Sequence, residues 1–221
     1  TQLGCKVDVV NNKTIVYPDN SGSGDELFCN ESALCARLFA PIACVFKNKF
    51  RLNGSGSLLN RPVAADFYIF EQMGSKINYR NYMLPVEFEY ANLQTGVYNV
   101  DGSKSSQLIS GLMMSLAVLS GDSQLIVHNP VSVAYLNLTQ WVCEQAGVKI
   151  KLNFDEFHNL VIDIFGNQKY VVGDYTVEGD WSGIVNLMIA AAIYSDAKFV
   201  GLNSFSLQAD KAILDVFENC N

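Results

Sequence analysis

The chain has 221 residues, 49% hydrophobic and 17% charged, enough to bury a core in one large domain or in one domain and part of another. A net charge of −7 without any Lys/Arg cluster excludes the electrostatic footprint of a nucleic-acid or anionic-membrane binder, and no apolar run approaches the ~20 residues that cross a bilayer. A small anionic ligand, which a few placed cations can hold, stays open.

The start, Thr1-Gln2-Leu3-Gly4, has no basic region and no hydrophobic signal segment, which points to a cytoplasmic protein. It also lacks a methionine and reads as a fragment. Cys5, Cys29, Cys35, Cys44, Cys143 and Cys220 form no Cys-x-x-Cys pair, and His128 and His158 stand far apart, so no structural metal site is expected. An even cysteine count and the sequon Asn30-Glu31-Ser32 would suit secretion, but a chain this rich in core residues does not need disulfides. The thiols are therefore expected to be reduced and buried.

Three segments open alike, with a polar cap running into an apolar helix. Asn30-Glu31-Ser32 precedes a helix from Ala33, in which Pro41 should introduce a kink. Ser105-Ser106-Gln107 precedes one from Leu108, with either serine suited to the N-cap. Asp180-Trp181-Ser182-Gly183 precedes one from Ile184. Ser32, Ser106 and Ser182 recur at spacings of 74 and 76 residues. Gly4, Gly74 and Gly147 recur at 70 and 73, each suited to a helix C-cap. Such self-similarity marks a repeat architecture.

Within each period a short strand follows the buried helix, at Phe50–Leu52 or Leu125–Val127. A more amphipathic helix comes next, over Val63–Met73, Leu136–Ala146 or Ala209–Phe217. Alternating strands then follow at Lys76–Tyr79, Val86–Tyr90 and Gly96–Val100, and again at Val148–Asn153, Leu160–Ile164 and Asp174–Glu178. The predicted fold class is α/β (α+β), built from repeated βαβαββ units. The chain should begin in the tail of one unit, contain two whole units and end inside another. A repeat cut in this way should expose apolar surface.

The start of the helix at Leu108 joins free backbone N–H groups and the positive dipole end to Ser103, Ser105, Ser106 and Lys104. It can be an anion site or simply a well-capped core helix. Gly102-Ser103-Lys104-Ser105 is not a P-loop, because the glycine before the lysine and the spaced upstream glycine are absent.

Four motifs carry a resemblance. They are Gly54-Ser55-Gly56-Ser57-Leu58-Leu59-Asn60-Arg61-Pro62, Lys104-Ser105-Ser106-Gln107, Ser132-Val133-Ala134-Tyr135 and Val177-Glu178-Gly179-Asp180-Trp181-Ser182. In this order and on this repeat, the chain resembles the enolpyruvyl transferases, most closely the branch acting on shikimate 3-phosphate. A sister branch acts on UDP-N-acetylglucosamine, and a non-catalytic phosphometabolite-binding scaffold is the alternative of another class. The resemblance implies a fold of two lobes with three units each. Residues 1–178 would be most of the substrate-binding lobe and 179–221 the first half-unit of the other.

The resemblance also implies a reaction without cofactor or metal. The enolpyruvyl group of phosphoenolpyruvate passes to the 5-hydroxyl of shikimate 3-phosphate through a tetrahedral adduct, and phosphate leaves. Carried over residue by residue, Ser105 and Ser106 would hold the 3-phosphate, with Ser132 adding a contact. Gln107 would bond substrate near the reacting carbon and Tyr135 would line the ring pocket. Arg61 would grip phosphoenolpyruvate and Asn30 would stand beside it. Bland readings exist for three of these: Arg61 as a solvated charge, Tyr135 as a core ring, and Ser132 as a plain N-cap. Two departures stand out. Asn30-Glu31-Ser32-Ala33 replaces the family's Asn-x-Gly-Thr, with one extra residue before Arg37, and Ala134 replaces a proline. The family's Lys-Ser-x-x-x-x-Arg segment and its second-lobe acid, base and arginines are not in these 221 residues, so the expectation is that this chain does not turn over alone.

Overall fold

A computed structural model describes residues 2–11, 13–18, 24–171, 173, 175–194 and 196–220. In chain order the elements are β1 (Cys5–Val10), β2 (Lys13–Pro18), β3 (Glu26–Phe28), α1 (Ala33–Phe46), β4 (Phe50–Asn53), α2 (Tyr68–Gln72), β5 (Lys76–Arg80), β6 (Met83–Tyr90), β7 (Val97–Asp101), α3 (Gln107–Leu116), β8 (Ser123–His128), α4 (Val133–Gln145), β9 (Ile150–Phe154), β10 (Leu160–Ile164), α5 (Trp181–Tyr194) and α6 (Ile213–Asn219). Short 3-10 turns occupy Gly56–Asn60 and Ala209–Ala212.

The repeat expected from the serine and glycine spacings is present as two four-stranded sheets of identical topology. One has the order β3-β4-β6-β5 and the other β7-β8-β10-β9. In each, the first two strands run parallel and the remaining neighbours antiparallel. The strand at residues 96–100 is the opening strand of the second unit, pairing with β8, and not a closing strand of the first. Ahead of both units, β1 and β2 form an antiparallel hairpin that the hydrophobic pattern did not single out.

Ser32 is the N-cap of α1, its side chain accepting from Cys35 N–H at 3.1 Å. Ser106 takes the equivalent place before α3, and Ser105 Oγ accepts from Gln107 N–H at 3.2 Å. The third marker departs from the pattern: Asp180 caps α5, its carboxylate accepting from Ser182 and Gly183 N–H, so Ser182 is free for another contact. Gly74 and Gly147 end α2 and α4 at φ 94° and 79°, and the next residues, Ser75 and Val148, donate back to Phe70 and Cys143 carbonyls. This closure uses the left-handed region, where a Cβ is penalised.

Helices α1 and α3, the buried helices of the two units, pack directly on one another. A Cβ on Gly111 would lie 2.5 Å from the Leu38 carbonyl oxygen and 3.0 Å from Pro41 Cγ. Helix α1 continues as one element across Pro41, whose buried ring forms part of this seam. Ala36, Ala40 and Ala43 are fully buried on α1. In the first unit Phe50 stacks on Phe88 with centroids 4.2 Å apart, and Phe70 meets Phe88 edge-on at 5.1 Å. These aromatic contacts add to the area-driven burial of the core.

Three sequence expectations are corrected. The helix expected over Val63–Met73 is α only at Tyr68–Gln72. After Pro62 the chain makes successive turns, with Phe67 N–H donating to Ala64 and Phe70 N–H to Phe67, the tighter i to i−3 pattern. The strand expected over Asp174–Glu178 does not form at 175–178, and Asp174 lies outside the described residues. Tyr175 and Val177 are exposed there, while the Glu178 carboxylate accepts from Ser206 Oγ at 2.5 Å and Gln208 Nε2 at 2.9 Å. Extended backbone becomes a strand only beside a paired neighbour. Finally, Cys29, Cys44 and Cys143 are buried as expected, but Cys5 and Cys35 are only half-buried and Cys220 is exposed. Apolar surface is open on α5, including Leu187, Ile193 and Tyr194.

Candidate functional site

Parallel pairing of β7 with β8 brings two loops to the same end of the sheet. The backbone then stitches them together. Gly102 N–H donates to the His128 carbonyl at 2.7 Å, and Val131 N–H donates to the Gly102 carbonyl at 3.2 Å. A Cβ at Gly102 would lie 2.5 Å from Val127 Cγ1 and 3.0 Å from Pro130 Cα, so glycine permits this approach. The loop carrying Ser105 and Ser106 therefore faces the loop carrying Ser132. The first unit repeats the device: Cys29 N–H donates to Asn53 and Ser55 N–H to Asn30, each at 2.8 Å. Carboxyl ends of parallel strands are where open α/β sheets place ligands.

A cleft of about 550 Å³ opens at this point between α1, α3 and α4. Its polar lining includes Lys104, Ser105, Ser106, Gln107, Ser132 and Tyr135. Leu34 and Leu38 of α1 form an apolar wall. Five of the seven residues singled out by sequence are thus brought together. Ser132 stands at the start of α4 in the left-handed conformation, φ 54°, and its side chain makes no capping bond. Tyr135 is not a core ring: it is 40% exposed, and its hydroxyl donates to Asp210 Oδ2 at 3.4 Å. Ser182 Oγ donates to the same Asp210 oxygen.

Arg61 and Asn30 do not line this cleft. Arg61 is exposed, in the segment that leaves the 3-10 turn, and its charge acts on Arg37. Asn30 is exposed and left-handed, at φ 49°. Its loop is drawn onto the Gly54–Ser57 turn, because the Glu31 carboxylate accepts from both Ser57 N–H and Ser57 Oγ at 2.9 Å. These bonds hold Glu31 below the usual carboxylate range.

Sequence reasoning missed the residues behind the cleft. Arg37 donates from Nε to the Val63 carbonyl and from Nη1 to Gln107 Oε1, both at 3.3 Å. Because a guanidinium only donates, the Gln107 amide oxygen faces Arg37 and its NH₂ is left as the donor on the other side. Asp66, 4% exposed, lies 3.7 Å from Lys104 Nζ. Burial raises the Asp66 pKa, opposed by the charges of Lys104 and Arg37. Burial likewise lowers that of Arg37, opposed by Asp66. No local pattern could announce Asp66, since its partners come from other elements.

The arrangement offers hydroxyls, two helix starts, an amide donor and flanking cations around one space, which suits a phosphorylated polyol. A cleft of about 400 Å³ at the other end of the second sheet includes Asp122 and Asp163, but these already accept from Gly166 N–H and Gln124 Nε2. Among the described residues, no cluster of His, Cys, Asp and Glu could hold a metal ion and no helix is long and apolar enough to cross a membrane.

Comparison with known proteins gives a consistent picture. The profile of the EPSP synthase (3-phosphoshikimate 1-carboxyvinyltransferase) family matches residues 1–221. A 3-phosphoshikimate 1-carboxyvinyltransferase of Clostridium botulinum (strain Eklund 17B) is 35% identical over 195 residues, covering 87% of this chain and 44% of the relative. One from Clostridium perfringens (strain SM101) is 34% identical over 221 residues, covering 98% and 51%. The solved EPSP synthase of Acinetobacter baumannii superposes with a TM-score of 0.67 at 20% identity, over 87% of this chain and 43% of that one. The chain spans about half the length of the curated relatives it matches.

Proposed function

This chain belongs to the EPSP synthase (3-phosphoshikimate 1-carboxyvinyltransferase) family, and on that premise we propose that its cleft is the shikimate 3-phosphate side of an enolpyruvyl-transferring active site. The observation that carries this reading is the meeting of Ser105, Ser106, Gln107, Ser132 and Tyr135 around one space at two helix starts. Ser105, Ser106 and Ser132 hold the 3-phosphate, with hydroxyls and helix-start N–H groups as donors. The Gln107 NH₂, aimed by Arg37, donates to a substrate oxygen near the carbon that bears the 5-hydroxyl. Tyr135 and the Leu34–Leu38 wall flank the ring. Arg61 and Asn30 serve phosphoenolpyruvate on the neighbouring flank, outside this cleft. Transfer of the enolpyruvyl group to the 5-hydroxyl yields EPSP and phosphate, and charge concentrated in the tetrahedral adduct is met by donors already in place.

We place residues 1–178 in this substrate-binding lobe and the start of the second at 179, where Trp181 N–H donates to Gln208 and the boundary residue Glu178 accepts from Ser206 and Gln208. A cytoplasmic setting suits the buried thiols of Cys29, Cys44 and Cys143. The Glu31–Ser57 contact favours one other reading, a relative that binds the phosphorylated polyol without enolpyruvyl transfer, since it puts a carboxylate on the flank assigned to phosphoenolpyruvate. EPSP formation by the full-length protein separates the two.

The test of the cleft reads binding. Calorimetric titration of the 221-residue chain with shikimate 3-phosphate should give saturable heat. The Ser105→Ala, Ser106→Ala double variant should weaken it by about 100-fold, two charge-assisted contacts being lost. No heat from the unmodified chain at millimolar ligand, or an unweakened double variant, overturns the reading.

A further inference from the structure

Lys104 is the charged residue of the cleft lining, and the motif comparison leaves it without a role. It precedes Ser105, and its side chain is 56% exposed while its ammonium lies 3.7 Å from Asp66 Oδ1. Asp66 is on the turn segment that follows Pro62 in the first unit, whereas Lys104 is on the serine loop of the second. The pair therefore bridges the two units at the cleft mouth. The charged groups acting on Asp66 are Lys104, Arg37 and Asp101. Arg37 is committed to Val63 and Gln107, and Asp101 to Ser103 N–H. Lys104 is the member of this group with a flexible stem and an exposed head, so it is the one able to change partner.

At 3.7 Å the contact with Asp66 is long for a charge-assisted bond, so a doubly charged phosphate held by the adjacent Ser105 and Ser106 competes with Asp66 for the ammonium. We propose that Lys104 is a phosphate-reading residue of this cleft, held at its mouth by Asp66 when the cleft is empty and transferred to the ligand phosphate on binding. This rests on the reading of the cleft as a shikimate 3-phosphate site and adds a charged contact that the serine loop alone does not supply. Asp66 acts through Lys104 and is a positioning residue. It competes with the ligand for the same ammonium.

The experiment is a double-mutant cycle read by calorimetry on the 221-residue chain, with shikimate 3-phosphate and with unphosphorylated shikimate as probes. Lys104→Met should weaken shikimate 3-phosphate by about tenfold and leave shikimate unchanged, and Lys104→Arg should recover most of the loss. Asp66→Asn should tighten shikimate 3-phosphate by about threefold, and that gain should largely vanish in the Lys104→Met background. Because Lys104 is exposed, its variants test the proposal even if Asp66→Asn fails to fold. Undiminished affinity in Lys104→Met, equal weakening of both probes, or an equal Asp66→Asn gain in both backgrounds overturns the proposal while the serine-loop reading stands. No heat from the unmodified chain removes both.

Discussion

Arg37 on the buried helix of the first unit donates to Gln107 Oε1 at the start of the buried helix of the second, at 3.3 Å. One guanidinium thus ties the two repeats together just behind the cleft and decides which end of the Gln107 amide faces inward. Arg37→Met removes this bond and the one to Val63, and leaves Asp66 with a single cation. The chain should lose about 1–2 kcal/mol in urea denaturation. Arg37→Lys keeps the charge but not the fixed fork, so its shikimate 3-phosphate affinity should lie nearer that of Arg37→Met than that of the unmodified chain. An Arg37→Lys protein with full affinity would show that charge, and not the aim of Gln107, is what matters.

Gly102→Ala tests the stitch between the two loops. The new Cβ would press on Val127 Cγ1 at 2.5 Å and on Pro130 Cα at 3.0 Å. Separating β7 from β8 here moves Ser105 and Ser106 away from Ser132. The expected outcome is about a tenfold fall in shikimate 3-phosphate affinity with about 1–3 kcal/mol of lost stability. Ligand affinity unchanged beside the same stability loss would dissociate the serine loop from the Gly102 contact.

What the sequence made legible was local. A serine before an apolar helix and a glycine after one are readable because each serves backbone groups within a turn of itself, and Ser32, Ser105, Gly74 and Gly147 all stand in those roles. The meeting of Ser105 with Ser132 followed from the repeat, since equivalent loops of parallel strands share an edge. The Asp66–Lys104 pair and the Tyr135–Asp210 bond were not legible, because they join segments 38 and 75 residues apart with no periodic pattern between them. The helix expected from Val63 failed because Val63, Ala64, Ala65 and Phe67 satisfy a helical pattern as readily as a run of buried turns. Burial alone does not separate the two. The strand expected near residue 176 failed for a different reason: alternation describes a side-chain pattern, while a strand also needs a paired neighbour.

Gly111→Ala probes the seam between the units. Its Cβ would lie 2.5 Å from the Leu38 carbonyl oxygen, a backbone atom of α1 that cannot rotate away. The helices must part, which costs contacts along a seam that includes the buried Pro41 ring. Loss of about 2–3 kcal/mol is expected, measured as a lower urea midpoint with one unchanged cooperative transition. Two separate transitions would show that the units unfold independently and that α1–α3 packing is not a shared core.

The alkaline side of the stability curve tests the buried thiols. Cys44 is 8% exposed on α1, and burial pushes its thiol up from 9.0 to about 12, partly opposed by a hydrogen bond with Ser75. Above pH 9 the unfolded chain releases this proton while the folded chain keeps it. The native state then binds more protons, so the thiol's contribution is fully present below pH 9 and is lost as pH rises toward 12, at up to ~1.4 kcal/mol per pH unit. Cys44→Ala should be less stable than the unmodified chain at pH 8 by about 1 kcal/mol, from lost packing around the sulfur. That deficit should shrink above pH 9 and reverse by about pH 10.5, because the variant has no proton to retain and 1.5 pH units of linkage exceed the packing term. Cys29, also pushed up to about 12 by burial, is present in both proteins and drops out of the comparison. Denaturation midpoints at pH 8, 9.5 and 10.5 check the crossing, and a deficit that stays constant across them would mean that the Cys44 thiol ionises as readily folded as unfolded.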